Sequence, residues 1–243
     1  MLLAIALLAA LFLIDFTLGS IPWGVVISKV FYRKDLRDEG SGNIGTTNAF
    51  RAMGKKGGAA VFVLDFGKGL LAGWLGLLWI SIMAAENPAT GEAVITPLLV
   101  GVGFDKIDAV ALADACARGL CLSLAFAGCT LGHIFSPWLG WKGGKGIAVA
   151  AACLVFVFSP LAFLLELAVF ALGILITRCV SVGSIAAAVL CPLLALYFYW
   201  GQWVPWLIIA ATAGVVIWAH RANIGRLRAG TENKIGSKKK AEA

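Results

Sequence analysis

Residues 147–177 read IAVAAACLVFVFSPLAFLLELAVFALGILIT, and how this run is cut decides the fold. It is apolar over 31 residues, enough for one tilted transmembrane helix, since about 20 apolar residues cross a bilayer. Ser159-Pro160 stands at its centre. A proline there lacks an N–H and crowds the preceding turn, so the helix breaks. Two short helices joined by a tight turn are therefore expected. Whether the run crosses once or twice sets the side on which everything downstream emerges.

Other apolar runs flank this one. A first span is expected over 2–31, interrupted at Asp15 and at 19–23; it lacks a basic leader and is too long for a signal peptide. Further spans are expected at 59–83, 115–135, 184–200 and 203–219. The reading is an all-α polytopic membrane protein with seven transmembrane helices, N-terminus outside and C-terminus cytoplasmic. Loops 32–58, 136–146 and 178–183 and the tail from His220 then share one face. Of the 20 Lys and Arg, only Lys106 and Arg118 fall on the other, a bias that turns the first face to the cytoplasm. A single transmembrane domain is expected over 1–235, with 236–243 a basic flexible tail.

Composition agrees. The chain has 243 residues, 60% hydrophobic and 14% charged, with a mean hydropathy of +0.92. These values exclude a soluble enzyme, a disordered chain, a secreted disulfide scaffold and a nucleic-acid-binding domain. The +7 charge belongs beside lipid headgroups. Six cysteines, none in a CxxC pair, read as small apolar packing residues; with only His133 and His220, no metal site or cofactor is expected. Asp65 can pair with Lys68 one turn on, whereas Asp15 and Glu166 have no partner in sequence and are assigned to helix packing or the lipid interface.

Four polar stretches fall on the shared face. GSGNIGTTNAFR (40–51) has three glycines that turn the backbone tightly, short Ser, Thr and Asn donors, and the planar fork of Arg51. A helix opening at Thr46 would aim its N-terminus at an anion. GHIFSPWLGWKGGKG (132–146) sets Lys142 and Lys145 around Gly143-Gly144, a second anion cradle without Walker A spacing. Trp138 and Trp141 read as interface anchors. RCVSVGS (178–184) adds hydroxyls and a guanidinium, and HRAN (220–223) places His220 and Asn223 on one helix face.

Together the runs GSGNIGTTNAFRAMG (40–54), GHIFSPWLGWKGGKG (132–146), RCVSVGS and HRANIGRLRAGTENK (220–234) resemble the bacterial acyl-phosphate:glycerol-3-phosphate acyltransferase family, in order over most of the chain. The resemblance implies seven spans, a bacterial inner-membrane location and a cytoplasmic active site. It implies transfer of a fatty acyl group from acyl phosphate to the 1-hydroxyl of glycerol 3-phosphate, giving lysophosphatidic acid and phosphate. It puts Ser41, Gly42, Asn43, Thr47 and Asn48 in a phosphate-binding loop with Arg51 close by. Lys142, Gly143, Gly144 and Lys145 fall in the second cradle, Ser181 and Ser184 beside the substrates, and His220 and Asn223 against glycerol 3-phosphate. The chain departs from the pattern at Cys179, where the family has Tyr, at Ala148-Val149-Ala150, in a longer 84–114 segment and in Lys238-Lys239-Lys240.

Both substrates of that reaction carry phosphate, which fits two anion cradles on one face. Acyl phosphate is already activated, so the glycerol hydroxyl can attack directly, with Lys145, Arg51 and loop N–H groups stabilising charge. A substrate phosphate oxygen or His220 takes the proton. The expected partners are the two substrates and membrane lipids, not nucleic acid, around a monomer. The alternative is a phosphate or organic-anion channel or carrier.

Overall fold

The computed structural model describes residues 1–86, 91–103 and 105–236; the lysines expected in a flexible tail lie outside them. Among the described residues the chain forms ten α-helices and no strand. Helices α1 (Leu2–Ser20) and α2 (Trp23–Tyr32) part at Ile21-Pro22. Helix α3 (Thr46–Ala84) is broken at Gly54, whose φ of 71° favours glycine. It opens at Thr46, well before the span expected from 59, because its first turns are polar and carry no hydrophobic signal. After the short α4 (Thr96–Gly101), α5 (Lys106–Ile134) also starts earlier than expected. The Asp105 carboxylate caps it, accepting from the N–H groups of Ile107 at 2.9 Å and Asp108 at 3.0 Å.

The 147–177 run is cut as expected, into α6 (Ile147–Val157) and α7 (Pro160–Thr177). Ser159 Oγ accepts from the Ala162 N–H at 3.2 Å, and Pro160 at the first helical position sacrifices no helix hydrogen bond. Helix α8 (Val180–Phe198) and α9 (Trp203–Ala219) follow, and α10 (Arg221–Arg228) leaves α9 at 53°. Five of the helical stretches, counting α1–α2 as one, are long and apolar enough to cross a membrane, or six if α9–α10 is one span. The remaining segment of the expected seven is α6: its 11 residues rise about 16 Å, roughly half a hydrocarbon core.

Helix α5 runs through the middle of the bundle, packed by α1, α3, α6 and α9. Close approach depends on small residues. A Cβ at Gly132 would stand 2.1 Å from the Phe16 carbonyl oxygen, and one at Gly69 would stand 2.3 Å from that of Val149. The cysteines are unpaired and, Cys116 apart, buried, as packing residues should be. Trp138 and Trp141 are exposed as expected of anchors, and the Trp138 indole N–H donates to Ser20 Oγ at 2.9 Å. Asp15 and Glu166 are not at a lipid interface: both are buried within the bundle. Their own helices gave no partner to read, and it is tertiary packing that encloses them.

One buried ion pair ties several of these parts together. Lys68 Nζ lies 2.9 Å from Asp65 Oδ1, as the spacing predicted. It also donates to the Ile21 carbonyl at 2.9 Å and to His133 Nδ1 at 2.9 Å. The next link is backbone: the carbonyls of His133 and Ile134 accept from the N–H groups of Gly144 and Gly143, both at 2.9 Å. Removing one member strands a buried charge, which costs about 3–5 kcal/mol, whereas replacing both by apolar groups costs far less. Asp65→Ala should therefore lower Tm in detergent strongly, and Asp65→Leu/Lys68→Met should lower it less than either single change.

Candidate active site

The four polar stretches, far apart in sequence, meet at one end of the bundle. Ser41, Asn43, Thr47, Asn48 and Arg51 of the first, Lys145 of the second, Ser181 and Ser184 of the third and His220 and Asn223 of the fourth line one cavity of about 350 Å³. The remaining predicted residues, Gly42, Lys142, Gly143 and Gly144, line an adjoining cavity of about 520 Å³ that shares Ser41, Asn43, Lys145, Asn223 and Arg226 with the first. All the sequence-predicted residues thus fall in one contiguous region.

The first loop is shaped from within. Gly40 and Gly42 take φ of 58° and 67°. Asn43 Oδ1 accepts from the Gly45 N–H at 2.8 Å, turning the chain into α3. The Asn48 amide does not wait free for a ligand: its Oδ1 accepts from the Ser41 N–H at 2.9 Å, and its Nδ2 donates to the carbonyls of Leu36 and Glu39 at 3.1 and 2.9 Å. It holds the loop against the start of α3. Thr46, expected to open a helix but not counted among the site residues, lines the cavity with a buried hydroxyl that has no partner among the described residues.

The second loop needs its glycines for packing. A Cβ at Gly143 would stand 2.1 Å from the His133 carbonyl oxygen, and one at Gly144 would stand 2.1 Å from His133 Nε2. Their role is to let the loop close on His133, which delivers the next residue, Lys145, to the cavity. Burial lowers the Lys145 ammonium to about 8, with the cations Arg226 and Arg51 acting the same way and Glu232 opposing. Among the described residues, neither Lys145 nor Arg51 forms an ion pair with a carboxylate. Two uncompensated cations at a cavity wall make its potential attractive to anions.

His220 is 1% exposed. Its Nδ1–H donates to the Val216 carbonyl at 2.8 Å, which leaves Nε2 as the ring's acceptor. Burial lowers its pKa to about 4, with the Lys145 charge acting the same way and the Val216 bond and Glu232 opposing. At neutral pH His220 is uncharged and a weak base.

Glu232, missed by sequence reasoning, organises the far wall. Its Oε1 accepts from Ser181 Oγ at 3.0 Å and Asn223 Nδ2 at 2.7 Å, and its Oε2 from Arg226 Nε at 2.7 Å. Burial works to raise its pKa, and the bonds from Asn223, Arg226 and Ser181 outweigh that and hold it below the usual carboxylate range. The tail that carries it is pinned where the Ile235 N–H donates to the Arg178 carbonyl at 2.8 Å. Glu232 and Arg226 stand in the quoted tail motif, but nothing in their spacing shows that the strand of tail folds back onto α8. Away from these charges the cavity turns apolar, between Phe126, Leu154, Phe163, Leu167 and Phe170.

Residues 9–230 match the family profile described as glycerol-3-phosphate acyltransferase. The chain belongs to the glycerol-3-phosphate acyltransferase family. It is 34% identical to the glycerol-3-phosphate acyltransferase of Listeria monocytogenes serotype 4a (strain HCC23), over 94% of this chain and 96% of the relative. Identity is 35% to that of Syntrophomonas wolfei, over 95% and 98%. Among solved structures it is similar to PlsY (YgiH), an integral membrane glycerol 3-phosphate acyltransferase crystallised in a glycerol 3-phosphate form, at a TM-score of 0.68 and 31% identity over 94% of this chain and 96% of that one. A lysophosphatidic acid form of PlsY aligns with a TM-score of 0.66 and 29% identity over 94% and 95%. Family membership and the apolar helices make this a multi-pass membrane protein.

The Lys145 environment has a pH consequence. Lys145 is cationic below about pH 8 and neutral above it, so its contribution to anion affinity is present below that pH and is lost as pH rises through it, while that of Arg51 remains. Calorimetric binding of inorganic phosphate from about pH 7 to about pH 10 should weaken on the alkaline side, and Lys145→Arg should hold it to the top of that range, as arginine keeps its charge. A flat wild-type profile would remove Lys145 from the anion site.

Proposed function

We propose that this protein transfers a fatty acyl group from acyl phosphate to the 1-hydroxyl of glycerol 3-phosphate, giving lysophosphatidic acid and inorganic phosphate. The observation that carries the reading is one cavity with Lys145, Arg51 and Arg226 at its polar end and an apolar arm beyond them. Such a cavity suits two phosphates and one acyl chain. The relatives' shared name and the two PlsY forms, with glycerol 3-phosphate and with lysophosphatidic acid, point the same way.

Lys145 and Arg51 hold the phosphates and stabilise the oxyanion that forms when the glycerol oxygen adds to the acyl carbonyl. Thr46, Thr47 and the N–H groups at the start of α3 add donors, and Asn43 and Asn48 shape the loop that presents them. Ser181 and Asn223, set by Glu232, complete the wall on which glycerol 3-phosphate rests, with Ser184 beside it. The new ester C–O bond forms, the bond from the acyl carbon to the phosphate oxygen breaks, and phosphate leaves with the electron pair. The hydroxyl proton passes to a phosphate oxygen, a better acceptor here than His220 with its pKa of about 4. Ser181 Oγ donates to Glu232 rather than to a histidine, an arrangement that favours direct transfer over a covalent enzyme intermediate.

In the membrane we place seven passes, with α6 and α7 as a hairpin whose shorter arm is α6. Lys145 before α6 and Ser181 after α7 line the same cavity, which is the outcome expected of a hairpin that enters and leaves on one face. That face is cytoplasmic, in the inner membrane of a bacterium, and the unit is a monomer.

Purified protein in detergent given palmitoyl phosphate and labelled glycerol 3-phosphate should form labelled lysophosphatidic acid. Lys145→Ala and Arg51→Ala should each lower kcat/KM at least about tenfold, on the order of 1.4 kcal/mol of transition-state stabilisation. Wild-type rates in both variants would sink the site assignment. No product at all would reject the enzyme, and anion flux through liposomes would then favour the channel or carrier.

A further inference from the structure

Three carboxyls line the cavity, and Asp65 is paired with Lys68 and Glu232 with Arg226; Glu166 is the one left without a partner among the described residues, and the transfer just described has no use for it. It is 4% exposed and forms part of the cavity wall, and neither of its oxygens has a hydrogen-bond partner among the described residues. Its neighbours along the arm include Phe163, Leu167, Phe170, Ala187 and Cys191, none of which offers a strong acceptor or donor. Buried polar groups are almost always paired, and an exception in a binding cavity points to a partner that arrives with the ligand.

Its depth can be read from helix packing. Gly173 of α7 lies against Gly183 of α8, where a Cβ on the first would come 2.7 Å from the Cα of the second. Glu166 is one heptad before Gly173, so it sits about 10.5 Å further from the level of Ser181 and Ser184. Along an extended chain each carbon advances about 1.25 Å, from a C–C bond near 1.52 Å and an angle near 111°. Glu166 is therefore reached roughly eight or nine carbons beyond an acyl carbonyl held at the polar end.

Resting on the acyltransferase reading above, we propose that the apolar arm selects acyl donors carrying a hydroxyl near the middle of the chain, and that Glu166 is the group that recognises it. A hydroxyl both donates and accepts, so it satisfies the Glu166 carboxyl in either protonation state, whereas a plain methylene leaves the carboxyl bare. A site built to bond a hydroxyl discriminates against the analogue that lacks it more sharply than an apolar pocket discriminates between chain lengths.

The test compares stearoyl, 3-hydroxystearoyl and 10-hydroxystearoyl phosphate as donors to glycerol 3-phosphate, with full-length protein in detergent. Wild type should use the 10-hydroxy donor with a kcat/KM at least about tenfold above both others. Glu166→Leu should bring the three donors to within a few-fold of one another. Glu166→Gln, which still donates and accepts, should keep the preference and guards against a Leu variant that fails to fold. Equal use of all three donors by wild type overturns the proposal alone. So does a Glu166→Leu variant that keeps the hydroxyl preference, or one whose sole change is to accept longer saturated chains, which would make Glu166 an end-stop. No transfer from any donor overturns the acyltransferase reading and this inference with it.

Discussion

Lys68 is the node on which the rest of the structure depends. Its ammonium reaches Asp65 on its own helix, the Ile21 carbonyl at the break between α1 and α2, and His133 near the end of α5. A charge this deep in an apolar bundle is tolerated only when every contact is made, so the network fixes three chain segments together. His133 then passes the constraint on. Its carbonyl and that of Ile134 hold Gly144 and Gly143, and the glycines allow the loop to close on the imidazole. Lys145 is the next residue in the chain. The buried ion pair thus places Lys145 at the cavity wall.

The wall opposite is assembled by the inverse device. Glu232 brings a negative charge into a cationic cavity and gathers Ser181, Asn223 and Arg226 on it. That leaves Lys145 and Arg51 as the cations without a carboxylate of their own, facing a neutral His220. Partial burial sharpens their field because little water screens it. It also keeps the Lys145 pKa near the physiological range, close enough for the charge to be lost in mild alkali.

Much of this was legible in the chain. Ser159-Pro160 cut the 147–177 run where the structure cuts it, because proline at a first helical position follows from local chemistry alone. The Asp65–Lys68 pair followed from helical spacing. Every site residue expected from the four polar stretches reached the same region of the fold. What was hidden has a common cause: it depends on contacts between distant segments. The helix start at Thr46 was legible in the loop motif, but its first turns are polar, and hydropathy does not show that it runs on into the span expected from 59. Glu232 and Arg226 acquire their meaning only when the tail folds onto α8. The burial of Asp15 and Glu166 depends on which helices surround them, and α6 is too short for its length to declare it a span. The glycines of the second loop line the cavity beside Lys142 and Lys145, and that they also pack on His133 shows only in the fold.

If both phosphates and the acyl chain share one cavity, the acyl group passes directly between substrates. The most direct measurement incubates purified protein with acyl-labelled palmitoyl phosphate and no glycerol 3-phosphate, denatures it, and counts label bound covalently to the chain. Direct transfer leaves none above background. Stoichiometric label, lost on adding glycerol 3-phosphate before denaturation, would establish an acyl-enzyme and contradict it.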